Sequence, residues 1–181
     1  AAGADYFSVA LPEEALQLRR HGIKTPILLL GMIAPEWVLL MREHQITVTI
    51  GDLAAAKEYA AVLGAGEPLK VHICLDTGMN RIGLKPEEAV AQIAEICQYP
   101  CFVVEGIWTH FPAVDDENER DFTLGQIAAY HHVLDGLQSQ GITIPLRHFA
   151  NSDAIATLSP EQYGRTNMAR PGLILFGTPN Y

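Results

Sequence analysis

The chain has 181 residues, with 12 Lys and Arg against 21 Asp and Glu, and 49% of its residues are hydrophobic. This composition excludes disordered and collagen-like proteins, and the net charge of −9 disfavours nucleic acid as a partner. No apolar run is long enough to span a bilayer. The three cysteines show no CxxC spacing, so we expect no disulfide framework or zinc site, and a reducing, cytoplasmic location.

Apolar, β-rich segments alternate with segments of helical periodicity along the whole chain, with no linker that divides residues 1–181 into two domains. We predict seven strands, centred near residues 8, 28, 48, 72, 105, 148 and 174. Helices are predicted between them, over 12–22, 34–44, 52–63, 86–97, 121–139 and 153–158. Strands separated by helices pair in parallel. Both an open doubly wound sheet and a (β/α)8 barrel, one strand short, fit this α/β pattern.

Polar residues that follow the late strands indicate where a ligand would bind, because both architectures place function at the carboxyl ends of strands. No GxGxxG or P-loop motif occurs. Asn151 and Ser152 lie at a predicted helix start, where free N–H groups bind phosphate, and Gly172 would let the backbone approach the same group. The alternative is that Asn151 or Ser152 only caps a helix.

Four other side chains are candidate site residues. His110 follows Trp108 by two positions, so both lie on one face of a strand and could flank a flat ligand; alternatively His110 is a core histidine bonded to a carbonyl. Arg81 and Arg170 offer a fixed fork of donors, and Arg170 precedes a predicted buried strand, where an unpaired charge is costly. Asp76 is either a catalytic acid or the cap of its own turn.

Five sequence blocks, in order and at consistent spacing, resemble bacterial alanine racemases over essentially the whole chain. The first is the opening segment from Ala4 to Ala15. The other four are DTGMNRIG at 76–83, EGIWTHF at 105–111, HFANS at 148–152 and RPGLILFG at 170–177. The last block has Phe176 where the family has tyrosine.

The resemblance implies a pyridoxal 5′-phosphate (PLP) enzyme with an N-terminal barrel, a C-terminal β-domain and a homodimeric assembly. It would interconvert L- and D-alanine and supply D-alanine for peptidoglycan. Arg170, supported by His148, would donate to the pyridine nitrogen, which stays unprotonated because arginine does not give up its proton. The resemblance assigns cofactor binding to His110, His148, Asn151, Ser152, Arg170, Gly172 and Leu173, and a supporting catalytic role to Arg81 and His110.

Two departures from the family pattern limit the implications of the resemblance. The segment with the cofactor lysine and the β-domain with the second base, a tyrosine, match nothing in these 181 residues. Lys57, Lys70 and Lys85 match no catalytic position. We therefore expect seven of eight barrel strands and no racemisation by this chain alone. Two alternatives stay open: a serine/alanine racemase domain of a membrane-bound resistance protein, and a non-catalytic PLP-binding barrel.

A further departure concerns a lysine that many family members carbamylate, two residues before the aspartate of the DTG motif. Cys74 occupies that position here, and a thiol forms no such carbamate. We therefore expect Arg81 to lie near a bound inorganic anion or an acidic side chain.

Overall fold

The structure, a computed structural model, describes residues 3–177. Within these residues one sheet contains six parallel strands, in the order in which they occur along the chain. A doubly wound sheet reverses its strand order at a switch point, whereas a barrel keeps it, so this order favours the barrel. The strands are β1 (Phe7–Val9), β2 (Ile27–Leu29), β3 (Ile46–Ile50), β4 (Leu69–Cys74), β5 (Phe102–Trp108) and β6 (Leu146–His148).

A helix follows each of the first five strands, and two short helices follow the sixth. Capping residues mark several helix starts: Asp52 Oδ1 accepts from the N–H of Ala55 at 2.6 Å, and proline occupies the first turn of three others. No helix within residues 3–177 is long and apolar enough to cross a membrane. The helices are α1 (Pro12–Arg20), α2 (Val38–Glu43), α3 (Leu53–Leu63), α4 (Pro86–Ile96), α5 (Arg120–Ser139), α6 (Ser152–Thr157) and α7 (Pro160–Tyr163).

The hydrophobic core lies between the sheet and the surrounding helices. In β3, alternate residues Ile46, Val48 and Ile50 belong to this core and are at most 1% exposed. The residues between them, Thr47 and Thr49, point to the other face of the strand and are also buried. At β3 the inner face of the sheet therefore carries polar side chains that need partners of their own.

The contacts of Tyr6 show that the sheet is strongly curved. Its hydroxyl lies 3.0 Å from Oγ1 of Thr47 on β3 and donates to Glu105 on β5. In a flat sheet, four strand spacings would separate β1 from β5 by about 19 Å. A side chain next to β1 reaches β5 only if the sheet closes on itself, as it does in part of a barrel.

The prediction of a seventh strand near residue 174 is wrong. Leu173–Phe176 instead form a 3₁₀ turn, and Leu173, Leu175 and Phe176 are 63–88% exposed. The returning chain pairs with the segment after β6 only at a bridge between Ala150 and Ala169. Pro171 has no N–H to continue the ladder, and the apolar run after it carries no alternation that distinguishes a strand from a helical turn.

Candidate functional site

A cleft of about 600 Å³ opens beside the carboxyl ends of the strands. Its volume lies within the usual range of small-molecule sites, about 300–1,000 Å³. Seven of the eight site residues that the resemblance assigns lie in its lining: Arg81, His110, Asn151, Ser152, Arg170, Gly172 and Leu173. The eighth, His148, is fully buried behind Arg170.

Arg170 is anchored on one side and borders the cleft. Its Nη1 donates to Nδ1 of His148 at 2.6 Å, and its Nη2 donates to the carbonyl oxygen of Thr109 at 2.9 Å. The guanidinium carbon lies 5.0 Å from the ring centroid of Trp108. Burial lowers the pKa of Arg170 to about 10, so the side chain keeps its positive charge at pH 7. The sequence predicted that the charge of Arg170 needs a partner. Neutral hydrogen-bond acceptors and the face of an aromatic ring fill that role.

His148 is held neutral by its surroundings. Because Nδ1 accepts from Arg170, the ring proton resides on Nε2, which lies 2.9 Å from Nδ1 of His72. Burial, and then the charge of Arg170, keep the pKa of His148 well below its usual value. The ring also stacks on Trp108 with an interplanar angle of 14°.

His110 presents a neutral imidazole to the cleft. Burial lowers its pKa to about 4, with Arg170 and Arg81 contributing through their positive charges. Within residues 3–177 its ring makes no hydrogen bond, so the alternative of a core histidine bonded to a carbonyl is wrong. Trp108 borders the same cleft, in agreement with the prediction that both side chains lie on one face.

The turn after β6 joins a helix start to the segment that returns to it. Asn151 caps α6, since its Oδ1 accepts from the N–H of Ala154 at 3.0 Å. Ser152 is therefore free for another role, and its Oγ accepts from the N–H groups of Gly172 at 3.0 Å and Ile174 at 3.2 Å. A Cβ at Gly172 would meet no atom nearer than Ser152 Oγ at 3.8 Å. Open space in the cleft thus borders Gly172.

Asp76 caps its own turn rather than acting as an acid in the cleft. Its Oδ1 accepts from the N–H groups of Gly78 at 3.1 Å and Asn80 at 2.8 Å, and its Oδ2 pairs with Lys85 at 2.6 Å. Burial alone would raise the pKa of Asp76, but Lys85 and the two N–H donors outweigh it and lower that pKa.

Arg81 stands exposed at the rim of the cleft and makes no ion pair within the described residues. The prediction that Arg81 lies near an acidic side chain is therefore wrong for the described residues. An exposed guanidinium is solvated by water and needs no such partner. A bound anion there stays a prediction. Cys74, which replaces the family's lysine, is buried, and burial raises the pKa of its thiol to about 12.

Three comparisons with known proteins agree. The family model described as "Alanine racemase, N-terminal domain" matches residues 1–180. The chain is 45% identical to the alanine racemase of Desulforamulus reducens over 178 residues, 97% of this chain and 47% of that protein.

This chain belongs to the alanine racemase N-terminal domain family. Its structure superposes on the alanine racemase of Clostridium difficile 630 with a TM-score of 0.91 and 35% identity, covering 99% of this chain and 47% of that one. It also matches a histidine racemase from Leuconostoc mesenteroides subsp. sake, with a TM-score of 0.86 and 37% identity over 98% of this chain and 46% of that chain. The chain therefore spans a little under half the length of these relatives.

The cleft of this alanine racemase domain fits the cofactor that the resemblance implies. PLP combines a flat pyridine ring with a phosphate, so it needs a donor for the ring nitrogen and N–H groups for the anion. Arg170 is a permanent donor at one side of the cleft, and the N–H of Gly172 lies beside open space. His110, neutral and free of hydrogen bonds within residues 3–177, leaves a ring face for the pyridine.

Lysines of the alanine racemase domain lie away from the cleft. Lys57 pairs with Glu95 at 3.0 Å on the surface, and Lys70 pairs with Glu105 at 2.9 Å near the start of β4. Among the described residues, the cleft lining contains no lysine. This part of the chain thus places no amine where a Schiff base with PLP would form.

A larger cavity of about 810 Å³ lies at the opposite, amino-terminal ends of the strands. Arg19 borders it, but four backbone carbonyls, those of Ile23, Thr25, His44 and Gln45, already accept from its guanidinium. Four of the five N–H donors of this arginine thus tie loops together, and one N–H on Nη2 is left for a ligand.

Sequence reasoning missed His72, Glu105 and Tyr6, which meet on the inner face of the sheet. A signal was available for two of them. His72 and Glu105 lie within mostly apolar strands, where a polar group needs a buried partner. Tyr6 precedes its strand and gave no such signal.

Proposed function

We propose that this chain is the cofactor-binding barrel part of an alanine racemase, an enzyme that interconverts L- and D-alanine with PLP and supplies D-alanine for peptidoglycan. The observation that carries the proposal is the convergence of Arg170, His110 and the Ser152–Gly172 contact on one cleft of the family's fold. In this proposal residues 1–181 form one domain, a partial TIM-type (β/α)8 barrel that further strands complete.

PLP, when bound, withdraws electrons from the α-carbon of the amino acid and so makes its proton acidic. Arg170 donates to the pyridine nitrogen and, because its charge is retained, leaves that nitrogen unprotonated. His148 holds the guanidinium in place through its 2.6 Å hydrogen bond.

Ser152, Gly172 and Leu173 would hold the phosphate of the cofactor. The hydroxyl of Ser152 and backbone N–H groups donate to the anion, and Asn151 fixes the helix start that positions them. His110 packs against the ring as a neutral imidazole and adds no competing charge. Arg81, at the rim, attracts the substrate carboxylate.

The two proton-transfer bases come from outside these residues in this proposal. Racemisation needs one base on each face of the α-carbon, which the family supplies as the cofactor lysine and a tyrosine from the β-domain of the partner subunit. The relatives are about twice as long as this chain, which leaves room for both segments. A homodimer is implied, because the second base crosses the subunit interface.

We place the enzyme in the cytoplasm. Three free cysteines, of which Cys74 and Cys101 are buried, are typical of a reducing compartment.

The experiment is to assay the full-length gene product for interconversion of the enantiomers of alanine, serine and histidine, with and without PLP. Histidine is included because a histidine racemase is among the similar structures. PLP-dependent turnover that favours alanine supports the proposal. A preference for serine or histidine would correct the substrate, and turnover that does not require PLP would contradict the mechanism.

A further inference from the structure

A row of polar side chains crosses the inside of the barrel from the cleft toward the opposite end. It begins at Arg170, continues through His148 and His72 at 2.6 and 2.9 Å, and ends at Glu105. Nε2 of His72 lies 3.7 Å from Oε1 of Glu105, and within the described residues this nitrogen has no hydrogen-bond partner. We call these four residues the inner relay. Only Arg170 among them borders the cleft.

The two ends of the inner relay, a guanidinium that only donates and a carboxylate that only accepts, set the direction of its hydrogen bonds. Arg170 is always a donor, so Nδ1 of His148 must accept and Nε2 of His148 must carry the proton. That proton points at Nδ1 of His72, so the proton of His72 resides on Nε2 and faces the carboxylate of Glu105. A positive guanidinium and a negative carboxylate thus terminate a chain of two neutral imidazoles.

Glu105 is held as a carboxylate by donors from three other parts of the sheet. Tyr6 donates to Oε1, Thr47 donates to the same oxygen at 3.0 Å, and Lys70 pairs with Oε2 at 2.9 Å. Burial alone would raise the pKa of Glu105, but His72 and these donors outweigh it and lower the pKa to about 2. The carboxylate is therefore ionised and fixed in place at neutral pH.

Backbone structure makes room for the inner relay. The ladder between β4 and β5 shifts register at Val71 and His72, so that Val71 pairs with Val104 while His72 pairs with Gly106. A Cβ at Gly106 would lie 2.3 Å from Nδ1 of His72. The bulge and the glycine leave the space that the His72 ring fills between Glu105 and His148.

We propose that Glu105 is a positioning residue for the proposed PLP reaction: through His72 it fixes the proton of His148 on Nε2 and so keeps Arg170 aimed at the pyridine nitrogen. The inference rests on the proposed function, because only a ligand with such an acceptor uses this orientation. In Glu105→Gln, the side-chain amide can donate to Nε2 of His72 as well as accept from it, so this end of the inner relay no longer fixes the direction of the hydrogen bonds. Where the chain reverses, His148 presents an N–H to the N–H of Arg170, and this anchor is lost.

The test uses the full-length gene product, labelled with ¹⁵N-histidine, without PLP and at pH 7. Wild type should give ring nitrogen shifts of two neutral histidines, His72 and His148, with their protons on Nε2. Glu105→Gln should shift both toward the Nδ1–H form. Glu95→Gln, which makes the same change in a surface ion pair with Lys57, should leave both unchanged. A protonated ring, or a proton on Nδ1, in wild type would overturn the proposal even if Glu105→Gln does not fold.

PLP affinity of the same three proteins gives the second readout. In metal sites, residues that hydrogen-bond to a ligand side chain and orient it contribute about 10- to 100-fold to metal affinity. We expect a loss of PLP affinity of that order for Glu105→Gln. Glu95→Gln should bind like wild type. If Glu105→Gln binds PLP as tightly as wild type, the positioning role of Glu105 is contradicted, but the proposed function is not. If wild type does not bind PLP, both the proposed function and the role of Glu105 are contradicted.

Discussion

The hydroxyl oxygen of Ser152 accepts a hydrogen bond from the backbone N–H of Gly172 at 3.0 Å and so ties the start of α6 to the segment after Arg170. Two parts of the chain, 20 residues apart, thereby present their polar groups to the same side of the cleft. The predicted helix start at Ser152 and the glycine at position 172 therefore belong to one candidate phosphate site.

Replacement of Ser152 by alanine should weaken PLP binding. The change removes a donor to the phosphate and the acceptor for two backbone N–H groups, and a hydrogen bond to a charged group contributes about 1.5–3 kcal/mol, or roughly 10- to 100-fold in affinity. The measurement is PLP titration of the full-length gene product. Ser139→Ala, which alters an exposed serine at the end of α5, is the control. Equal affinity in Ser152→Ala and Ser139→Ala would refute the phosphate assignment.

Asp76→Asn should lower the free energy of unfolding by about 1 kcal/mol at pH 7, since the amide keeps the turn but loses the charge that pairs with half-exposed Lys85. The folded pKa of Asp76 lies below 3.8, its ordinary value. The contribution of its charge is therefore fully present above pH 3.8 and is lost as the pH falls through the lowered folded pKa.

Urea unfolding of wild type and Asp76→Asn across that pH range measures this contribution. The stability difference should shrink as the pH falls, whereas Asp5→Asn, at an exposed position, should show almost no difference at any pH. A difference between wild type and Asp76→Asn that is constant with pH would show that the charge of Asp76 is not the source of the turn's stability.

Gly106→Ala should destabilise the fold, because its Cβ would lie 2.3 Å from the His72 ring, which is fully buried and cannot move aside. Overpacking of this kind costs about 1–3 kcal/mol. Gly125→Ala is the matched control on helix α5, where a Cβ meets no atom within 4 Å. That change should stabilise by about 0.5–1 kcal/mol. The melting temperature should therefore fall for Gly106→Ala and rise for Gly125→Ala. A change in the same direction for both variants would contradict this packing.

Residues 1–181 expressed alone should not exchange the α-proton of L-alanine with deuterated solvent, even with added PLP. The described part of the cleft contains no lysine, and loss of one acid–base partner costs about 10²–10⁴-fold in rate. The comparison is the full-length gene product under the same conditions. Comparable exchange by the two proteins would require another base, and His110 would be the first candidate.

Much of the fold is predictable from local patterns in the sequence. Six of the seven predicted strands form, and Asp52 and the prolines at helix starts mark where helices begin. The run from Leu173 to Phe176 failed as a strand because apolar composition alone does not distinguish a buried strand from an exposed turn. Its turn is held by Ser152, a distant residue that accepts from the N–H of Ile174, and the run itself does not encode that contact.

Candidate site residues at strand ends were predictable because parallel strands bring their carboxyl ends together. Asp76 and Asn151 could be either caps or ligands from sequence, and only hydrogen-bond geometry shows that both cap. His72 and Glu105 could each have been flagged as polar residues within buried strands, but their contact was not predictable, because it forms through a β-bulge that no local pattern encodes.

The most direct test of the central claim is the structure of the full-length gene product with bound PLP. We expect the phosphate within hydrogen-bond distance of Ser152 Oγ and the N–H of Gly172, His110 against the ring, and the guanidinium of Arg170 donating to the pyridine nitrogen. PLP bound elsewhere, or a pyridine nitrogen that faces a carboxylate instead of Arg170, would contradict the account.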